Sequence, residues 1–304
     1  MKTKQIMLLG IEAGRGAGTA GAQHGPVALR QRGLIARLES FGHTIEDLGD
    51  IPGVYETRFG AGSRRFVKNL PNVLQVNRHS HAAVLGSRRR DPDAFLLIVG
   101  GDHSIAIGTL AGLADSCNRL GLLWIDAHAD YNTPDTSTSG NIHGMSLAVA
   151  CGHGVNDLRT IAGKLPMIRE SDVHLCGIRD VDSGERTKLA ASNVHCLSAD
   201  EFRSAGIAEA ATAAIDQLAA DCDHVHMSFD IDVLDASEVP GTGTPVPGGL
   251  SAEEAVELLT ALSQRDVLQS AEFVEYNPAL DRDDRTAEVT LRLIETLFQT
   301  APLA

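Results

Sequence analysis

The sequence predicts an α/β fold: one domain in three layers, with a mostly parallel β-sheet held between two layers of α-helix. Three observations lead there. Apolar runs of strand length recur eight times along the 304 residues. Helical patterns separate most of them. Side chains of metal-ligand type follow directly on three of the runs, and parallel sheets carry their sites beyond the carboxyl ends of the strands.

In chain order, Ile6–Gly10 reads as a first strand and Pro26–Leu38 as a helix, with Pro26 suited to a first helical position. Thr44–Leu48 is a second strand, and Val67–Leu85 a long helix. Ala94–Val99, Gly121–Ile125, Asp172–Ile178 and Val194–Leu197 read as further strands, and Ile207–Ala219 as a helix. After the strand Val225–Phe229 comes a helix over Ser251–Ser263, where Ser251 and Glu254 make a capping box. Val267–Val274 is the last strand and Thr286–Phe298 the last helix. Strands linked through helices must run parallel and are buried on both faces. No internal repeat, charge-rich linker or composition break divides the chain, so residues 1–304 are read as a single domain.

A hydrophobic content of 43% is enough for a large core. The net charge of −14 argues against a polyanionic partner such as nucleic acid. The region from Arg58 to Arg90 opposes that average, with eight Lys/Arg and no acid, and is read as a solvated helical face rather than a binding patch. Five dispersed cysteines without a C-x-x-C pair fit a reducing cytoplasm. The apolar stretch at the N-terminus is too short for a signal peptide, and no run approaches the ~20 apolar residues that span a bilayer. The expectation is a soluble cytoplasmic protein with no membrane partner.

Gly16-Ala-Gly18-Thr-Ala-Gly21 matches the G-x-G-x-x-G pattern of dinucleotide sites. Its context does not fit. The preceding strand ends near Gly10 and the next helix starts near Pro26, so the glycines lie inside a long loop. They do not form the tight turn that seats pyrophosphate on a helix N-terminus. A dinucleotide oxidoreductase is therefore the weaker reading.

Three segments carry the stronger chemistry: Gly100-Gly101-Asp102-His103, Asp126-Ala127-His128-Ala129-Asp130 and Asp230-Ile231-Asp232. In an extended chain residues i, i+2 and i+4 point the same way, so Asp126, His128 and Asp130 share a face, as do Asp230 and Asp232. Two imidazoles and four carboxylates exceed the usual protein donors to one catalytic ion. Two divalent ions sharing ligands would use all six, and four carboxylates would balance the +4 charge. Crowded without metal, those carboxylates would repel one another. The loops Asn132–Gly144 and Pro240–Gly249, rich in small polar residues, suit either a small polar substrate or plain turn chemistry.

Gly100-Gly-Asp-His103-Ser, Trp124-Ile-Asp126-Ala-His128-Ala-Asp130 and Ser228-Phe-Asp230-Ile-Asp232-Val-Leu-Asp235 resemble the signatures of the ureohydrolase superfamily. Its members split guanidino groups to release urea. The resemblance extends to Glu275-Tyr-Asn-Pro278 and covers nearly the whole chain. Within that superfamily, Asp130 to Gly144 is more similar to arginase than to agmatinase.

The resemblance implies an arginase-like fold and a dimanganese hydrolase that converts L-arginine to L-ornithine and urea. His103, Asp126, Asp130 and Asp230 would hold one Mn2+, and His128, Asp126, Asp230 and Asp232 the other, with Asp126 and Asp230 bridging. Asn132, Ser137 and Ser139 match the positions that receive the α-carboxylate. Asp182 matches the position for the α-ammonium, with Asp180 and Glu185 beside it. His143 resembles a proton shuttle, Asp130 a proton donor to the leaving amine, and Glu275 the carboxylate that fixes the guanidinium. Ser137 stands where arginases often have Thr. The resemblance also implies a homo-oligomer, trimer or hexamer, although the chain ends soon after its last helix and lacks the C-terminal extension of some relatives. Rival readings are a ureohydrolase for agmatine or another guanidino acid, and a metal-binding protein without turnover.

Overall fold

The fold is described from a computed structural model, which covers residues 3–53 and 67–299. Among these, eight strands form one sheet: β1 Gln5–Ile11, β2 Thr44–Ile51, β3 Phe95–Gly100, β4 Leu120–Ile125, β5 Val173–Ile178, β6 His195–Ser198, β7 His224–Asp230 and β8 Ser270–Val274. Their spatial order is β2-β1-β3-β8-β7-β4-β5-β6, and every pairing is parallel. The α-helices are α1 Gly25–Gln31, α2 Leu34–Ser40, α3 Leu70–Arg90, α4 Ala106–Ala114, α5 Ser146–Ala150, α6 Asn156–Arg159, α7 Ser183–Ala190, α8 Ala199–Ser204, α9 Ile207–Asp221, α10 Ala252–Ser263 and α11 Arg285–Phe298.

The period-2 rule sorts the central strands into two cores. Ile6, Leu8, Leu97 and Leu123 pack with residues of α1, α2 and α8 to α11. Their neighbours Met7, Leu9, Leu96 and Trp124 pack on the other face with α3 to α6. Burial on both faces explains why these strands read as continuous apolar runs rather than as alternating ones. The three-layer α/β/α arrangement is the one expected from the sequence.

Several elements differ in detail. The stretch Pro26–Leu38 is two helices, because Gly33 takes φ 86°, which ends α1, and its carbonyl then opens α2 by accepting from Arg37 N at 2.9 Å. Helix α4 has all nine residues buried and hence no polar face to give a helical period. It lies close to α3, where a Cβ on Gly108 would stand 2.5 Å from the Asn77 carbonyl and one on Gly112 2.7 Å from Val84. The predicted capping box of α10 is formed by Ser251 and Glu254.

The basic region needs correction. Residues Arg58, Arg64 and Arg65 lie outside the described residues, and the described end of α3 is not simply a solvated face. Arg88 is buried, its guanidinium donating to the carbonyls of Ala94 (2.6 Å) and Pro92. Arg90 pairs with Glu46 at 2.9 Å. Among the described residues, no helix is long and apolar enough to cross a membrane.

Candidate metal centre

The four strands at the middle of the sheet, β3, β8, β7 and β4, deliver the six predicted ligands and Glu275 to one place at their carboxyl ends. His103 follows β3 through Gly100 and Gly101. A Cβ on Gly101 would fall 1.7 Å from the Ala13 carbonyl oxygen, so only glycine lets the chain pass there. Asp102 then turns back onto the glycine loop, its Oδ2 accepting from the amides of Gly16 (2.8 Å) and Ala17 (3.3 Å). Those amides of the G-x-G-x-x-G match are thus given to a carboxylate of the same chain. The loop packs beside the site, where Gly16 O accepts from His143 N at 3.3 Å.

His103 Nδ1 faces three carboxylates: Asp126 Oδ2 at 3.1 Å, Asp230 Oδ2 at 3.1 Å and Asp130 Oδ2 at 3.2 Å. It is buried and makes no hydrogen bond. His128 Nδ1 stands 3.1 Å from Asp232 Oδ2 and 3.5 Å from Asp126 Oδ1. Asp126 therefore turns one oxygen to each histidine. Two groups of ligand atoms lie close enough to hold an ion each: His103, Asp126 and Asp230, and Asp126, His128 and Asp232. Asp126 belongs to both. Asp230 belongs to the first only, its Oδ1 accepting from Asp232 N at 2.8 Å.

Neighbouring groups fix these carboxylates. Trp124 Nε1 donates to Asp126 Oδ2 at 2.9 Å, His128 N to Asp126 Oδ1 at 2.7 Å, and Thr244 Oγ1 to Asp232 Oδ2 at 2.9 Å. The Trp124 indole also stacks on the His103 ring, with centroids 4.1 Å apart. Asp130 (φ 48°) and Glu275 (φ 66°) both sit in the left-handed region, where a non-glycine residue costs about 1–3 kcal/mol. Strain of this kind concentrates at functional sites.

The electrostatics suit cations. Burial would lower the pKa of His103, but Asp126 and Asp230 outweigh it and hold it well above 6.5. His128 is likewise raised, its burial outweighed by Asp232 and Asp126. Burial raises Asp130 and Asp230 far above the carboxylate range, reinforced by Asp126 and, for Asp230, Asp232. The carboxylates thus favour positive charge on both imidazoles. An unpartnered buried nitrogen amid carboxylate oxygens fits a divalent cation.

Above this floor, a cleft of about 140 Å³ is lined by His128, Asp130, Asn132, Ser139, His143, Asp180, Asp182, Glu185 and Thr244, among others. Asn132 Nδ2 donates to Asp182 Oδ2 at 3.1 Å. Glu185 accepts from Tyr131 N at 2.7 Å and from Asp182 N at 3.2 Å, and burial outweighs those bonds to raise it to about 7. Ser137 is not among the lining residues; its hydroxyl accepts from Gly140 N at 2.9 Å. Glu275 is buried beneath His143, with Oε1 accepting from His103 N (2.8 Å) and pairing with His143 Nδ1 (2.9 Å). Burial would lower His143, but Glu275 raises it to about 9.

Sequence reasoning missed two contributors. Thr244, inside the Pro240–Gly249 loop, reaches both the cleft and Asp232. Arg179 donates to the carbonyls of Asp232 (2.7 Å), Val233 (3.0 Å), Leu234 (3.0 Å) and Val246 (2.8 Å), tying that loop to the end of β7. An arginine bonded to carbonyls leaves no charge pattern to find.

A model of the arginase family matches residues 4–299. The arginase of Bacillus caldovelox is 42% identical over 296 residues, which cover 97% of this chain and 98% of that one. That of Bacillus subtilis is 41% identical over 295 residues, with the same coverage. The solved B. caldovelox arginase superposes with a TM-score of 0.93 at 40% identity, over 99% of this chain and all of that one. With sequence and fold matched nearly end to end, the chain belongs to the arginase family.

Proposed function

We propose that the protein hydrolyses the guanidino group of L-arginine to L-ornithine and urea at a dimanganese centre. The observation that carries this reading is His103 Nδ1, buried without a hydrogen bond among three carboxylates within 3.2 Å. The arginase relatives supply the substrate class.

His103, Asp126, Asp130 and Asp230 would hold one ion, and His128, Asp126 and Asp232 the other; the family resemblance adds Asp230 to the second set, which would require it to reach beyond the first group where the structure puts it. Four carboxylate donors favour manganese over zinc, whose sites use fewer of them. Bound there, divalent cations supply Lewis acidity and let water act as a nucleophile near neutral pH. A guanidinium is cationic and resonance-stabilised, so it must be held firmly for attack. Glu275 uses Oε1 for His103 and His143, which leaves Oε2 to accept from the guanidinium. Overall, water oxygen joins the guanidinium carbon, Asp130 takes up the proton that the water sheds, and, as the bond to the nitrogen on the substrate's δ-carbon breaks, Asp130 hands that nitrogen the proton. His143, at the cleft wall, exchanges protons with solvent; cations nearby would bring its pKa down from about 9.

The same reading assigns the α-carboxylate to Asn132, Ser137 and Ser139, and the α-ammonium to Asp182 with Glu185 behind it. A cytoplasmic setting is supported by five free cysteines. A homo-oligomeric state, trimer or hexamer, rests on the family resemblance alone. The direct test is urea release from L-arginine by Mn2+-loaded protein. Two bound ions with no urea from arginine would contradict the arginine reading and turn the test to agmatine and other guanidino acids; no urea from any of them would favour metal binding without turnover.

A further inference from the structure

The sheet beneath the metal centre carries polar side chains that the α/β fold does not need. Ser228, His226 and His224 sit on β7, Glu272 and Ser270 on β8, all of them buried. They form a series that starts at His103. Its Nε2 lies 2.8 Å from Ser228 Oγ, and Ser228 Oγ donates to Glu272 Oε1 at 2.8 Å. His226 Nε2, which has no hydrogen-bond partner, faces Glu272 Oε1 at 3.7 Å. Ser270 Oγ then lies 2.8 Å from both His226 Nδ1 and His224 Nε2. Burying five such groups is costly, the more so as His226 Nε2 and Glu272 Oε2 make no hydrogen bond, and an apolar strand pair would fill this space at less expense.

The direction of the series follows from donor chemistry. A carboxylate only accepts, so the Ser228 hydroxyl proton points to Glu272. Ser228 Oγ is then an acceptor toward His103, which requires the proton on Nε2. That leaves Nδ1, the nitrogen facing Asp126, Asp130 and Asp230, as the one that can give its lone pair to a cation. Glu272 stays in the form the series needs: burial raises its pKa, but His226, His103 and Ser228 outweigh burial and hold it below the ordinary carboxylate value.

We infer that Glu272 is a positioning residue of the metal centre, acting through Ser228 to lock His103 in the tautomer and ring orientation that present Nδ1 to a metal ion. This rests on the metal reading above. His226 and, through Ser270, His224 complete the polar series behind Glu272.

The test is Mn2+ binding to the full chain by equilibrium dialysis, with electron paramagnetic resonance to separate coupled pairs from isolated ions. Glu272→Gln and Ser228→Ala should each weaken one of the two ions by about 10–100-fold. At subsaturating Mn2+, the coupled-pair signal should give way to that of isolated ions. Because both act through His103, the double variant should be no weaker than the weaker single. Two ions bound as tightly in both single variants as in the wild type would overturn the inference, as would a double variant that loses the product of the two effects. Should Glu272→Gln fail to fold, Ser228→Ala decides alone, since it leaves Glu272 facing His226. A wild-type protein that binds no Mn2+ would overturn the metal reading itself, and this inference with it.

Discussion

The floor of the cleft and its rim are built differently. On the floor, Asp126 is held by the Trp124 indole and the His128 amide, and Asp230 by the amide of Asp232, all within buried strand ends. On the rim, Ser139 is exposed and the Ser137 and Ser139 hydroxyls accept from their own loop at Gly140 and Asn141. Asn132 and Asp182 likewise hold each other. The floor has one arrangement imposed by the sheet, whereas the proposed substrate would have to displace the rim's internal bonds. Chemistry therefore belongs to the strands and substrate identity to the loops.

Substitutions can break that division. The largest effect is expected for Asp126→Asn, which keeps volume but removes the carboxylate shared by both ion groups. Elemental analysis should find fewer than two ions per chain, and kcat should fall roughly 10⁴-fold, several kcal/mol of lost electrostatic stabilisation. Retention of two ions would refute the shared role. His143→Asn stands between floor and rim. It should lower kcat by roughly 10²–10³-fold, the range of general acid–base catalysis, with metal content unchanged. Unaltered turnover would remove His143 from the mechanism.

On the rim, Asp182→Asn should raise KM for L-arginine about tenfold or more through loss of a charged partner, with kcat nearly kept. Asparagine can still cap α7, so the melting temperature should hold. A fall in kcat with unchanged KM would blur the floor–rim distinction.

A separate effect, on stability rather than turnover, lies under the floor. His224 is buried and, mainly through that burial, its pKa is lowered to about 3. Its unfolded value is near 6.5, so between those values the unfolded chain binds the extra proton. Stability from this group is present above pH ~6.5 and is lost as pH falls toward 3, by about 1 kcal/mol per pH unit. Urea denaturation at pH 4 to 7 should show a shallower acid-side decline in His224→Gln. An equal slope would exclude His224 as the source.

How much of this was legible in the sequence follows the same division. Strand ends and donor types were enough to bring His103, Asp126, His128, Asp130, Asp230 and Asp232 together, because a parallel sheet has one functional edge. Sequence did not reveal that Asp130 leaves the extended chain at φ 48°, or that Oδ1 of Asp230 is taken by the Asp232 amide. Rim contacts were harder still. Thr244 and Arg179 act through loop carbonyls and a hydroxyl, which have no periodicity. Helix α4 escaped notice for the opposite reason, since it is apolar on every side. The Glu272 series was hidden because polar residues at alternate positions of β7 (His224, His226, Ser228) and β8 (Ser270, Glu272) read as a solvent-facing side until the strands are known to be buried on both faces and adjacent.

The central claim, a dinuclear floor beneath a rim that reads an α-amino acid, is tested most directly by urea release from Mn2+-loaded protein with L-arginine and agmatine side by side. Agmatine lacks the α-carboxylate that Asn132, Ser137 and Ser139 are proposed to bind. Urea from arginine, with little or none from agmatine, is the predicted result. Equal or faster release from agmatine would leave the floor intact and contradict the account of the rim.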